Sequence, residues 1–305
     1  MAIQKNILSF LIVFTIFNYS YGQVKRTAVD YNNLLAEDDS LAKANKIENL
    51  GPYISSFLGS RFTHSTNGTY YNNYNHTTNY GSVAYKNISL GKGFDFGMAI
   101  GKKLNEVVSI ELAGSYLISN PTIVKSGEVF NTYSIEYKEN FSSQFINFNP
   151  SIVFESPSKN WILYGKVGLV TGFTKSFYSL SRDSVSNGYW IPYNETIKIT
   201  EKGSFPLGYN ASIGMKKNAG YNRFVFIELC LNHVSQRYKN ASMTSYTIDG
   251  EEYVSRLNVI QREFEFVDEL NSTMNQDPNS SRKLLKNWTN FSTIGLKFGI
   301  QFFLR

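Results

Sequence analysis

The residues in this chain best placed to do chemistry on their own are His233 and Ser235, in the run Asn232-His233-Val234-Ser235. Two positions apart on an extended strand, their side chains share a face. An imidazole base then stands beside a hydroxyl, the beginning of a nucleophilic pair. The same spacing also suits the polar end of a strand whose lower part faces lipid. That second reading is the one adopted, so no catalytic residue is assigned. The other histidines, His64 and His76, stand among Asn, Thr and Tyr. A metal site needs three or four converging ligands, and no Cys/His/Asp spacing supplies them, so neither a metal nor any other cofactor is expected. No Gly-rich phosphate loop follows a strand-like segment.

A second set of polar residues says more about architecture: Arg61, Asp95, Glu111, Asn149, Lys166, Asn210, Glu228 and Lys297. Each lies on the polar parity of an alternating segment, near its middle, with Arg61 somewhat higher. Charges of both signs at one depth are expected to pair, because an unpaired buried charge is costly. An eight-stranded barrel has an interior just wide enough to be filled by side chains, so this set is expected to form a salt-bridged plug. The competing reading is a narrow ion path.

The elements that must position these residues are strands. The last is the clearest: Ile294, Leu296, Phe298, Ile300, Phe302 and Leu304 alternate with Thr293, Gly295, Lys297, Gly299 and Gln301. An unbroken apolar face opposite a Gly/Lys/Gln face is the pattern of a transmembrane β-strand. Seven earlier segments repeat it, at about residues 53–62, 91–101, 107–118, 144–155, 161–174, 205–215 and 223–233. Each approaches the ~9–11 residues needed to cross a bilayer at a tilt. Lys102–Asn105, Ser156–Asn160 and Lys217–Gly220 read as tight turns, while 64–90, 119–143, 175–204 and 234–290 read as long polar loops. Short turns on one side and long loops on the other are what outer-membrane barrels have. Asp249-Gly250 between two alternating runs, 243–248 and 252–257, reads as a hairpin within the last loop. Aromatics at strand ends (Phe154 and Trp161 on the turn side, Phe62, Tyr116 and Phe173 on the loop side) suit interfacial girdles.

Composition agrees. Phe and Tyr are abundant, at 23 and 21, against only 7 Pro, and the formal net charge of +6 is scattered rather than blocked, so nucleic acid is not indicated. The single cysteine, Cys230, excludes an internal disulfide framework. At the N-terminus, Lys5 precedes an apolar run from Ile7 to Phe17, and Ser20 and Gly22 occupy the positions a signal peptidase reads. The expected organisation is a signal peptide at 1–22, a partly helical periplasmic arm at 23–50, and a barrel at 51–305 with both termini periplasmic.

With its Ser20-Tyr21-Gly22-Gln23 processing site, eight alternating strands and closing Gly295-Leu296-Lys297-Phe298-Gly299-Ile300-Gln301-Phe302, the chain resembles the small outer-membrane β-barrels of the OmpA/OmpX and PorT-like type over residues 51–305. The resemblance implies an all-β, antiparallel up-and-down transmembrane barrel in the cell outer membrane. Its partners would be outer-membrane lipid and lipopolysaccharide, and the barrel-assembly machinery during insertion. That family usually ends on an aromatic residue, whereas this chain ends Phe303-Leu304-Arg305.

His233 and Ser235 also resemble the outward-facing pair of lipid A deacylases of the PagL type, for which Asp249, Glu251 and Glu252 are the candidate third members. In that family a short segment follows the pair, whereas here a long one intervenes. The expected function is therefore non-enzymatic, a structural or surface-interaction role carried by loops such as Tyr70-Tyr71-Asn72-Asn73-Tyr74, which would meet a surface ligand or protein. A lipid-modifying hydrolase using His233 and Ser235 is the first alternative and a narrow channel the second.

Overall fold

The computed structural model describes residues 51–63, 68–75, 80–87, 89–129, 133–157, 161–186, 193–220, 222–271, 277–286 and 288–304. The segments read as an export signal and an N-terminal arm, and His64 and His76, lie outside these residues. The strands are β1 (Pro52–Thr63), β2 (Gly68–Asn75), β3 (Tyr80–Asn87), β4 (Gly93–Lys103), β5 (Val108–Ser119), β6 (Thr122–Val129), β7 (Tyr133–Glu155) and β8 (Trp161–Ser186). They continue with β9 (Asn194–Gly203), β10 (Leu207–Asn218), β11 (Arg223–Ile248), β12 (Glu251–Glu252), β13 (Glu263–Val267), β14 (Arg282–Leu285), β15 (Trp288–Asn290) and β16 (Thr293–Phe303). A single helical turn, Val259–Arg262, precedes β13.

Eight of these strands close a ring. Going round it, β1 pairs with β4, β4 with β5, β5 with β7, β7 with β8, β8 with β10, β10 with β11, β11 with β16, and β16 with β1, every pairing antiparallel. The sequence expectation had eight strands in these places, with ends agreeing to a few residues on the turn side. Closure leaves the ring no edge on which another chain could pair.

The side chains of the ring are arranged in reverse of a soluble core. Outward positions are apolar and open: Leu58, Phe94, Phe96, Met98, Leu163, Leu169, Phe173, Ile213 and Phe298 are all exposed, Leu207 to 67%. Inward positions are largely polar and closed, among them Ser55, Arg61, Asp95, Ser109, Glu111, Asn149, Asn210, Glu228 and Lys297. Strand alternation produces both faces at once.

Turn chemistry fixes one end of the ring. Asn105 Oδ1 accepts from the backbone N–H of Val107 at 2.9 Å and of Val108 at 2.8 Å, closing the β4–β5 connection as an Asx turn. Asn218 Oδ1 accepts from Gly220 N–H at 2.8 Å, and Gly220 (φ +88°) and Asn222 (φ +60°) take the left-handed conformation the β10–β11 turn demands.

The other end departs from expectation. The segments read as long loops are substantially strand: β7, β8 and β11 run on to 23, 26 and 26 residues. β6 lies on β7 above β5, β9 lies between β8 and β11 above β10, and β15 lies on β11 above β16. Each such couple is one long strand with a break. Pro121 stands in the first break and Pro206 in the second, where a residue without an N–H interrupts the ladder. The hairpin expected at Asp249-Gly250 is present, with both residues at positive φ. Its second arm pairs only over Glu251 and Glu252 and then coils into a one-turn helix at Val254–Arg256 rather than continuing to Leu257.

Candidate functional site

The ring interior is built in layers. At the turn side, Tyr53, Ile162, Phe224 and Phe303 form an apolar floor. At the loop side, Leu117, Phe145, Val170 and Val234 from the ring meet Leu90 and Phe291 from the connections, forming an apolar lid. Between floor and lid lie the charges.

Lys166 on β8 donates to Glu111 on β5 at 2.7 Å and reaches Glu228 on β11 at 3.0 Å. Glu228 also faces Lys297 of β16 at 3.6 Å, and the Tyr164 hydroxyl donates to it at 3.2 Å. The Tyr53 hydroxyl donates to Glu111 at 3.1 Å. Nearer the loop side, Arg61 donates to Asp95 at 2.6 Å, both side chains essentially closed to solvent. Nearer the turn side, Glu155 accepts from Lys216 at 2.6 Å and pairs with Lys103 at 2.9 Å, and Lys216 also reaches Gln301 at 3.2 Å. The space left among these groups is about 30 Å³, room for one or two water molecules.

Of the polar interior set read from the sequence, six residues meet in ion pairs: Arg61, Asp95, Glu111, Lys166, Glu228 and Lys297. Asn210 is buried on the same face but bonds to Asn232 at 2.9 Å, and Asn149 is buried beside Gly168 without joining an ion pair. The reading missed Glu155, Lys216 and Lys103. The signal was available, because Glu155 shares the parity of Asn149, Lys216 that of Asn210, and Lys103 that of Asp95. Taking only the middle of each strand left them out.

Small residues make room for this packing. Four inward glycines sit directly opposite four aromatic residues on the neighbouring strand: Gly97 opposite Phe57, Gly101 opposite Tyr53, Gly214 opposite Tyr164 and Gly299 opposite Phe226. A Cβ on any of the four would run into the facing ring. Two of these rings carry their hydroxyls to the carboxylates, Tyr53 to Glu111 and Tyr164 to Glu228, while Phe57 lies under the Lys297 ammonium.

The pair on the outer face is arranged differently from a hydrolase. His233 is exposed and stacks on Tyr209 with ring centroids 5.0 Å apart. Its Nδ1 lies 3.1 Å from the Oγ of Ser292, not against Ser235. Ser292 is itself buried, and its Oγ also accepts from Val234 N–H at 3.3 Å. The three candidate acids are engaged at the tip of the β11 hairpin. Asp249 accepts from Asn194 N–H, Glu251 from the Tyr253 hydroxyl, and Glu252 from Tyr246 N–H, the Ser245 hydroxyl and Val254 N–H. Those bonds, Tyr246 N–H first, hold the Glu252 carboxyl below the usual range. Thirteen residues of strand lie between Val234 and Ile248, on the order of 45 Å at the usual rise, so none of the three can orient His233.

Above the lid, the inward parity of the extended strands carries a carboxylate that has no cation partner among the described residues. Glu201 on β9 lies opposite Ser176 of β8 and Ala241 of β11. Burial pushes its carboxyl up to about 7, against the opposing hydrogen bond from Tyr238. Among the described residues no three His, Cys, Asp or Glu side chains converge as a metal site, and no helix is long and apolar enough to cross a membrane.

No protein-family model matches the chain and no curated protein matches it significantly. Among solved structures it is similar to CarO2 of Acinetobacter baumannii, at 11% identity over 83% of this chain and 98% of that one, with a TM-score of 0.32. It is also similar to CarO of the same organism, at 13% identity over 85% and 100%, with a TM-score of 0.29. Similarity at this level carries no weight for function, which rests on the chain's own strand pairing and surfaces.

Proposed function

We propose that the chain is an integral outer-membrane β-barrel of eight strands with a non-enzymatic, structural and surface-interaction role, and that its loop-side strands form the contact surface outside the cell. One observation carries this reading. The closed ring has an apolar outside and an ion-paired inside, an inversion that is stable only where the outside meets hydrocarbon. Leaving that outer face in water would expose apolar surface far beyond a soluble protein's largest patch. In this reading the termini are periplasmic, and β9 with the loop-side extensions of β7, β8 and β11 stands clear of the membrane, free to meet a ligand or protein. Conduction is disfavoured, because Lys166 ties β5 to β11 across the section and apolar layers close both ends.

An epitope inserted between Asp249 and Gly250 tests the placement. Antibody should label intact cells; labelling only after permeabilisation would overturn the orientation. Shortening the hairpin from Asn240 to Val267 should abolish adhesion or partner capture while heat-modifiable migration of the barrel survives. Loss of both together would mean that the extended strands serve folding rather than contact.

A further inference from the structure

Resting on that membrane reading, a ledge of cations lies just beyond the apolar band on one arc of the wall. The band ends on the loop side in a row of large groups across three neighbouring strands. Phe173 of β8 and Phe205, in the break between β9 and β10, meet edge to face at 5.5 Å. Level with them, Arg237 of β11 stacks on Trp288 with its guanidinium 4.2 Å from the ring centroid. The next row outward is basic. Lys175 of β8 and Lys202 of β9 are directly opposed partners in the ladder, both exposed. Beside them Lys239 is the extra residue of a bulge in β11, also exposed.

Like charges set directly opposite each other across a strand pair are unfavourable. Among the described residues no carboxylate pairs with Lys175, Lys202 or Lys239, and the Lys175 ammonium rests only on the Phe177 ring, 5.0 Å from its centroid. The neighbouring acids are engaged elsewhere, Asp268 by Lys286 at 2.8 Å and Arg237 at 3.4 Å, and Glu265 by Lys283. The backbone beneath is fixed: Ser204 donates both its N–H and its hydroxyl to the Arg237 carbonyl at 2.8 Å, and Thr171 donates to the Pro206 carbonyl at 3.0 Å. In the membrane reading, a cationic row without carboxylate partners, on a pinned backbone one step above an aromatic girdle, falls at headgroup depth.

We infer that Lys175, Lys202, Lys239 and Arg237 form a binding ledge for the phosphate monoesters of an outer-leaflet glycolipid, whose acyl chains lie along Phe173, Phe205 and Leu207. Ammonium groups take phosphate as point charges, and the guanidinium, planar against Trp288 and paired through Nη1 with Asp268 at 3.4 Å, keeps Nη2 to donate. The chemistry recognised is phosphate. Membrane depth assigns it to lipid rather than to a soluble anion.

The test uses the full mature protein refolded into phosphatidylcholine vesicles, with bisphosphorylated lipid A, dephosphorylated lipid A or inorganic phosphate added. Thermal loss of the heat-modifiable form is the readout. Bisphosphorylated lipid A should raise the midpoint of the wild type, and the other two additions should not. In K175Q/K202Q/K239Q the apparent affinity should fall about fivefold per lysine, on the order of 100-fold in all. Equal stabilisation of the triple variant, or by the dephosphorylated lipid, would overturn the ledge. Stabilisation by inorganic phosphate alone would make it a soluble-anion site and overturn the lipid assignment. Failure of the wild type to insert into phosphatidylcholine would instead count against the membrane reading, so the two failures are separable.

Discussion

Lys166 on β8 reaches past the intervening strand β10 to place its ammonium 3.0 Å from Glu228 on β11, while Glu228 lies directly opposite Lys297 in the ladder with β16. One carboxylate thus answers two cations, and the Tyr164 hydroxyl donates to it as well. Removing one partner of a buried pair strands a charge, which costs about 3–5 kcal/mol. We expect Glu228→Ala to lose stability of that size in urea titrations of the vesicle-inserted protein. Glu228→Ala combined with Lys297→Met should recover part of it, because Lys166 keeps Glu111 at 2.7 Å. A double variant no more stable than Glu228→Ala would mean that the cost lies in packing rather than in charge.

The opposition of Gly214 and Tyr164 makes a second prediction. A Cβ at Gly214 would fall 2.5 Å from the Tyr164 ring, and that ring cannot swing aside without taking its hydroxyl from Glu228. Gly214→Ala should therefore cost about 1–3 kcal/mol, the usual range for overpacking. In a Tyr164→Ala background only the ring's share of that cost should vanish, because the Ile227 carbonyl also lies 2.6 Å from that Cβ. Additive effects in the double-mutant cycle would contradict the steric account.

The ring was legible in the sequence because one face must be apolar in every crossing, which keeps period-two alternation strong and fixes the register. Arg61, Asp95, Glu111, Lys166, Glu228 and Lys297 followed from that register alone. Beyond the apolar band the constraint lapses. Along β9, Thr196, Lys198, Thr200 and Lys202 alternate with Glu195, Ile197, Ile199 and Glu201, a contrast diluted by charges on both faces. The segment consequently reads as a polar loop, although its backbone pairs on both sides. The separation of His233 from the acids was also hidden, since the length of β11 sets it and the extra turns of that strand carry no lipid-facing signature.

Glu201 should make stability depend on pH. Burial pushes its carboxyl up to about 7 in the folded protein, from an ordinary value of about 4.5. The folded state then binds more protons than the unfolded state between those values, so stability is full below about pH 4.5 and falls as pH rises through 7. The loss is on the order of 2–3 kcal/mol. Glu201→Gln should remove that slope and leave the variant more stable than wild type at pH 8. Parallel profiles for the two proteins would show that Glu201 ionises freely in the fold.

The last prediction concerns the outer-face histidine. A hydrolase needs its base within reach of an accessible hydroxyl and an acid to orient it. Here the nearest hydroxyl to His233 is that of Ser292, which is buried and already accepts from Val234 N–H. The folded barrel should therefore release no fatty acid from lipid A above a protein-free blank, and His233→Ala should not change that result. The variant should lose only the Tyr209 stack and the Ser292 contact, a destabilisation of about 1 kcal/mol. Measurable release that disappears in His233→Ala would overturn the non-enzymatic reading outright. Ser235→Ala and Ser292→Ala would then tell which hydroxyl attacks, because only one of them stands at hydrogen-bond distance from the imidazole in this fold.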